Sequence, residues 1–265
     1  MRMREPLWVV DLGRIRYGEA LDLQRRLVAT KIAQRETPDV LFVLEHPPVI
    51  TLGRNAREEN IVTPRETLEA MGFDIFHVER GGDVTYHGPG QLVGYPILDL
   101  HRVPKPKDVG WFVWAMQEAV IRALARYGIT GERIEKVIGV WVRGRELPPL
   151  DDSFDEATRA ALAAAVTQFS DRKIAAIGAR IKEWVSYHGF ALNVNTDLRH
   201  FDLIVPCGLR DRGVTSMQAE LGREIPMGEI KPVVARTFAE VMEREIEWHT
   251  LDDVVPFLAS EPIHG

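Results

Sequence analysis

The chain has 265 residues, 45% of them hydrophobic and 27% charged, an ordinary globular mix long enough to bury a large core without disulfides. Its formal net charge of −6 argues against a general nucleic-acid binder, which needs a basic footprint. Cys207 is the only cysteine, so an internal disulfide framework is excluded, and the eight histidines show no HxxxH or HExxH spacing that would suggest zinc. No apolar run approaches the ~18 residues of a membrane span. The start, Met1 to Pro6, lacks the apolar core of a secretory signal. These facts lead us to expect a cytoplasmic protein with no bound metal or cofactor and no membrane or nucleic-acid partner.

In chain order, Trp8-Val9-Val10 reads as a short strand. Residues 18–35 read as a helix with an apolar face of Leu21, Leu23, Leu27, Val28 and Ile32. Asp39 to Glu45 has a buried-strand pattern closed by His46-Pro47-Pro48. Thr63 as N-cap, Pro64 at the first helical position and Glu66 predict a helix to about Met71, stopped by Gly72. Phe73 to Glu79 and Gln91 to Leu100 read as strands on either side of a glycine-rich segment, Arg80 to Gly90. Residues 108–127 predict a strongly amphipathic helix ended at Gly128. Lys136 to Arg143 reads as a strand. A Pro- and Asp-rich stretch follows, then an Ala-rich helix at 154–169 with a Ser153/Glu156 capping box. Lys173 to Trp184 and Tyr187 to Val194 look like paired strands, and 227–247 reads as the last helix. Strands and helices intermix without strict βαβ alternation, so the expected class is α+β with a mixed sheet.

Three segments carry candidate chemistry. In Arg80 to Gln91 (RGGDVTYHGPGQ), four glycines let the backbone approach a ligand, and Arg80, Thr85, Tyr86, His87 and Gln91 supply donors around it. A hairpin with polar decoration is the plain alternative. The spacing is neither GxGxxG nor a P-loop. Cys207 sits between Pro206 and Gly208 at what looks like a strand-to-turn junction, where a thiolate can be presented to a cleft; a buried small hydrophobe is the alternative. Lys173 leads the run Ile174 to Gly178, either as a solvated strand-end lysine or as one that enters a cleft. His46 lines the same cleft or caps its strand. His188 and His200 show no partner signal and read as structural. Arg210-Asp211-Arg212 is a solvated turn or meets an acidic partner.

Together these residues resemble the octanoyltransferases of lipoate biosynthesis. The family pattern R-G-G-x-x-T-aromatic-H-x-x-G-Q-x-x-x-Y is met by Arg80, Gly81, Gly82, Thr85, Tyr86, His87, Gly90, Gln91 and Tyr95. R-K-I-A-x-I-G matches Arg172 to Gly178, P-C-G-[LI] matches Pro206 to Leu209, and H-x-P-V-x-T-x-G matches His46 to Gly53. The likeness covers roughly residues 8 to 248. It implies a mixed sheet flanked by helices, like that of lipoate and biotin protein ligases. It also implies a Cys207 thioester assisted by Lys173. The implied substrate-lining residues are Arg80, Gly81, Gly82, Asp83, Val84, Thr85, Tyr86 and His87, then Ala176, Ile177 and Gly178, then Gly189, Phe190 and Ala191, with His46 beside them. Implied partners are octanoyl-acyl carrier protein as donor and, as acceptors, the lipoyl domains of 2-oxoacid dehydrogenases and the glycine cleavage H protein, met by a monomer. The chain departs from the family in a longer stretch between Arg143 and Lys173. We expect one catalytic domain over 1–265, with a surface insertion at about 144–170. An ATP-dependent lipoate ligase of the same fold and a non-catalytic acyl or lipoyl-domain binder are the rival readings.

Overall fold

The structure is a computed structural model and describes residues 5–144, 155, 171–205 and 212–263. Its elements are β1 (Leu7–Arg14), α1 (Tyr17–Ala33), β2 (Val40–Glu45), β3 (Val49–Leu52), α2 (Arg65–Ala70), β4 (Asp74–His77), β5 (Val84–His87), β6 (Gln91–Ile97), α3 (Val109–Ala125), β7 (Glu132–Ile134), β8 (Val137–Val142), β9 (Arg172–Lys182), β10 (Val185–Asn193), β11 (Gly213–Val214), α4 (Met217–Leu221), α5 (Met227–Val241), β12 (Ile246–His249) and α6 (Leu251–Val254). Among the described residues, nine strands form one sheet in the order β12-β1-β2-β6-β10-β9-β8-β7, with β11 beside β9. β1 runs parallel to both of its neighbours, β2 and β12, whereas β2, β6, β10, β9 and β8 alternate in direction. A small sheet, β4-β3-β5, stands apart. This is the mixed α+β arrangement expected.

The packing follows from the residue pattern. Every residue of β10 is buried, and its alternate side chains feed two cores. Phe190 and Leu192 join Phe112, Met116 and Val120 of α3 and Val234 and Phe238 of α5 on one face. Val185, Tyr187 and Ala191 join Leu27 and Val28 of α1 on the other. Asp108 begins α3 by accepting from the Trp111 N–H at 2.8 Å, a cap that satisfies one of the donors orphaned at a helix start.

Three expectations are corrected. The helix after Thr63 starts one residue later: the Pro64 carbonyl accepts from the Thr67 and Leu68 amides, so Pro64 holds the cap position and no side chain caps it. The last long helix stops at Val241 rather than 247, because Glu243 turns left-handed (φ 54°) and Ile246–His249 leaves to pair with β1. Ile204 makes only an isolated bridge to Ile61, after a 3-10 turn at Leu198–Leu203, where a strand end was expected. The expected helix at 154–169 lies, apart from Asp155, outside the described residues.

One buried ion triad ties α1 to β2 and to the chain entering β12. Asp39 is paired at 2.7 Å with Lys31 and at 2.7 Å with Arg244, all three nearly inaccessible. Burial alone would raise the Asp39 pKa; the two cations outweigh it and hold the carboxyl below its usual range. Its stabilising charge is therefore fully present at neutral pH and is lost only as the pH falls through that lowered pKa. Asp39→Asn keeps the volume but leaves two buried cations unneutralised. Urea unfolding is expected to show a loss of about 3–5 kcal/mol; a loss below about 1 kcal/mol would show that the triad does not hold these elements together.

Candidate active site

A cavity of about 530 Å³ opens between the glycine-rich segment, the β9–β10 hairpin and the tip of the β7–β8 hairpin. That volume falls in the ~300–1,000 Å³ range of small-molecule sites. Lining it are Arg80, Gly81, Gly82, Asp83, Val84, Thr85 and His87 from the glycine-rich segment, Lys173, Ala176, Ile177 and Gly178 from β9, and Gly189, Phe190 and Ala191 from β10. Fourteen of the sequence-selected positions thus meet around one space.

Two close approaches bring the walls together. The Gly81 amide donates to the Ala179 carbonyl at 3.2 Å, and a Cβ on Gly178 would lie 2.9 Å from the Gly81 oxygen. Across the hairpin Gly178 pairs with Gly189. A Cβ on Gly189 would run into the Gly94 carbonyl and Pro96 of β6. Arg80 is anchored by Thr51, its Nη2 donating to the Thr51 carbonyl at 2.7 Å and to Oγ1 at 2.8 Å. Asp83 braces the loop by accepting from Asn60 Nδ2 at 2.7 Å and from its neighbour's amide, Val84 N, at 2.7 Å.

Two selected residues do not line the cavity. The Tyr86 hydroxyl lies 2.8 Å from His200 Nδ1 among Phe73 and Phe201, on the far side of β5. His46 stands one side chain behind the wall: its Nδ1 donates to the Ile15 carbonyl at 2.7 Å, so its Nε2 accepts from the Tyr95 hydroxyl at 2.8 Å, and Tyr95 lines the cavity. Burial holds His46 neutral, its pKa pushed down to about 4.

Lys173 is 9% exposed. It pairs with Trp141 on one side and Val214 on the other, and its ammonium lies 4.8 Å over the Trp141 ring. The Arg212 guanidinium lies 5.2 Å from the same ring. Cys207 lies outside the described residues. Before it, the Val205 amide donates to Asn60 at 2.7 Å; after it, Gly213–Val214 runs parallel to Arg172–Lys173.

The sequence reading passed over several lining residues. Gln91, named only as one of the donors of the glycine-rich segment, and Tyr95, inside the quoted motif, both line the cavity, and so does Asn193 at the end of the β10 run. Tyr17, Lys136 and Ile138 carry no local signal, because only tertiary folding brings α1 and the β7–β8 tip here. His188, set aside as structural, also lines the cavity. Its backbone is left-handed (φ 55°), its ring stacks on Tyr187 at 4.9 Å, and neither ring nitrogen has a hydrogen-bond partner among the described residues. Burial pushes its pKa down to about 3 and that of His87 likewise to about 3.

The space sets apolar walls such as Val113, Ile138, Ile177 and Phe190 against neutral polar groups and the ionisable side chains Arg80, Asp83, Lys136 and Lys173, a lining that suits a ligand with an apolar body and a polar reacting end. The lipoyl protein ligase A/B catalytic domain model matches residues 16–239. An octanoyltransferase of Myxococcus xanthus is 45% identical over 237 residues, covering 89% of this chain and 60% of that protein's length. An octanoyltransferase of Caldicellulosiruptor saccharolyticus is 43% identical over 248 residues, 93% of each chain. The solved structure of a lipoate-protein ligase A bound with ATP aligns over 94% of this chain and 89% of its own with a TM-score of 0.63; at 18% identity that likeness is one of fold. The chain belongs to the lipoyl protein ligase A/B catalytic domain family.

His46, His87 and His188, all buried and neutral, set a pH dependence. An unfolded histidine binds a proton near pH 6.5; these do so in the folded state only near pH 3–4. The unfolded chain therefore binds more protons in between, and stability falls as the pH drops from about 6.5 to about 4. Each contributes about 1.4 kcal/mol per pH unit within that window. Urea midpoints between pH 4.5 and 6.5 should show this slope, and His188→Gln should flatten it by about one histidine's share. An unchanged slope in that variant would mean that His188 is not held neutral.

Proposed function

We propose that this chain moves an octanoyl group from acyl carrier protein to a lysine of a lipoyl domain through a thioester on Cys207. The observation that carries this reading is the setting of Lys173: it lines the cavity and pairs with Val214, just past the Cys207 segment, in a chain whose full-length relatives are named octanoyltransferases.

In the first half-reaction the Cys207 sulfur attacks the carbonyl carbon of the donor thioester. A new C–S bond forms, the donor's C–S bond breaks, and the carrier thiol leaves with a proton. One thioester replaces another, so no nucleotide is needed. In the second, the acceptor lysine's nitrogen attacks the same carbon, the amide C–N bond forms, and Cys207 leaves as thiolate. Lys173 as an ammonium favours the thiolate; as a neutral amine it accepts the proton released by the attacking nitrogen. The apolar walls, Ile177 and Phe190 among them, suit an alkyl tail. Lipoyl domains of 2-oxoacid dehydrogenases and the glycine cleavage H protein are the acceptors we assign, with the chain acting as a monomer in the cytoplasm.

The ATP-dependent ligase is the rival, supported by the fold of the ATP-bound relative. Wild-type protein incubated with octanoyl-carrier protein and no ATP should gain one octanoyl mass by intact mass spectrometry, and Cys207→Ser should not. No adduct, but octanoylation of an added lipoyl domain once ATP and free octanoate are supplied, would select the ligase, whose adenylate is not bonded to the enzyme, and no acyl transfer to the lipoyl domain under either condition would select a non-catalytic binder.

The chain is read as one catalytic domain with a surface insertion at 144–170. What supports this is the pairing of Val142 with Arg172 and the Gly144 amide donating to Asp171 at 3.2 Å, which put the two ends of the stretch side by side. Replacing 145–170 by a short Gly/Ser turn should therefore preserve acyl-enzyme formation to within about threefold, since surface loops tolerate such changes. A folded deletion that cannot be acylated would place the insertion in the site.

A further inference from the structure

The polar wall of the cavity has a fixed direction of donation. Asn193 Nδ2 donates to the Thr215 carbonyl at 2.9 Å, and a carbonyl can only accept, so the other end of that amide, Oδ1, is an acceptor. Gln91 Nε2 donates to it at 2.9 Å and to the Tyr86 carbonyl at 3.3 Å. Both amide hydrogens of Gln91 are thereby assigned, and its Oε1 is an acceptor. His87 Nδ1 lies 2.7 Å from that Oε1 and therefore carries the ring proton. The remaining polar atom, Nε2, is left with a lone pair and has no hydrogen-bond partner among the described residues. The same relay reaches the candidate catalytic lysine, because the Thr215 amide donates to the Lys173 carbonyl at 3.0 Å. His87, Gln91, Asn193 and Lys173 all line the cavity.

A ligand group that meets His87 Nε2 must bring a hydrogen. At the reacting centre of a thioester there are only acceptors, a carbonyl oxygen and a sulfur. The incoming amine brings N–H, and its lone pair must point at the carbonyl carbon. Resting on the transferase reading above, the geometry points to His87 as the group that accepts one N–H of the acceptor lysine and so aims its lone pair, with Gln91 and Asn193 as positioning residues that fix the imidazole tautomer. The contact is a hydrogen bond and not a proton transfer. As the C–N bond forms and the enzyme's C–S bond breaks, the surplus proton goes to Lys173 or the departing sulfur. The titratable and charged groups around His87 are Tyr17 of α1, His46 after β2, Arg80 of the glycine-rich loop and His188 of β10. None of these is a carboxylate, so none favours an imidazolium, which would turn Nε2 into a donor and repel the amine.

The test separates the half-reactions. Acylation is followed as the octanoyl adduct on mixing with octanoyl-carrier protein, and transfer as loss of the preformed adduct on mixing with a lipoyl domain. His87→Met is expected to slow transfer about ten- to hundredfold more than acylation, the scale of one lost orienting hydrogen bond. His87→Gln, which keeps an acceptor near the Nε2 position, is expected to recover part of the difference. Gln91→Met removes the acceptor that holds the ring proton on Nδ1. Its transfer step should slow severalfold more than acylation, whereas a purely structural defect would slow both alike. Equal slowing of the two half-reactions in both His87 variants, or in Gln91→Met, overturns the assignment. Failure of wild-type protein to form the adduct overturns the transferase reading and this one with it.

Discussion

The pairing of Gly178 with Gly189 across the β9–β10 hairpin is the constraint on which the site depends. Each of these glycines faces a different neighbour at a distance that no side chain tolerates. Gly178 admits the Gly81 carbonyl of the glycine-rich loop, and Gly189 admits the Gly94 carbonyl of β6. The first contact closes the loop over the hairpin, and the second seats the hairpin at the centre of the sheet. Lys173 lies five residues before Gly178 on the same strand (178 − 173), at ~3.3 Å per residue. Its place along the cavity is set by the same register. A residue with a Cβ at either glycine would displace backbone, which is costly, rather than a flexible side-chain end.

That constraint is local in sequence but tertiary in consequence, and this divides what could be read from what could not. The β9–β10 hairpin was legible because Ile174, Ile177, Phe190 and Leu192 form apolar runs on either side of a turn, although the turn falls at Glu183–Trp184 and Val185 already belongs to β10, and α3 because its apolar residues recur at helical spacing. The motif residues were legible as types: glycines for close approach, polar groups around them, one lysine. β3 and β5 were not assigned as strands. Each is four residues long, bounded by Pro48 and Gly53 or by Gly82 and Gly88, and such runs look the same in a turn. The overshoot at 242–247 came from a helical pattern that continues past Glu243, where pairing with β1 outweighs helix propensity. Tyr17 and His188 escaped notice for the same physical reason: their places in the cavity wall come from α1 lying across the sheet and from a left-handed backbone in mid-strand, and neither leaves a pattern in the chain.

The electrostatic character of the cavity also follows from burial. Histidines 46, 87 and 188 sit where an imidazolium would lose its hydration, and neutral rings result. A neutral ring has one donor and one acceptor, so its partners decide what it offers to the cavity. The Ile15 carbonyl fixes His46, which in turn orients the Tyr95 hydroxyl away from the cavity. Gln91 fixes His87. The wall thus sets neutral imidazoles of fixed tautomer beside the ionisable side chains Arg80, Asp83, Lys136 and Lys173.

The same sheet brings the two ends of the 143–171 stretch together. Loop-closure entropy rises slowly with length, about 0.6 kcal/mol for each doubling. The closure is already enforced by β8 pairing with β9 and by Arg143 reaching both Glu132 and Asp171. Asp171 also faces Arg212, on the chain that returns past Cys207. The base of the connection and the base of the cysteine segment therefore share one carboxylate. Arg143, Asp171 and Arg212 are held together beside the point where Arg172 and Lys173 pair with Gly213 and Val214.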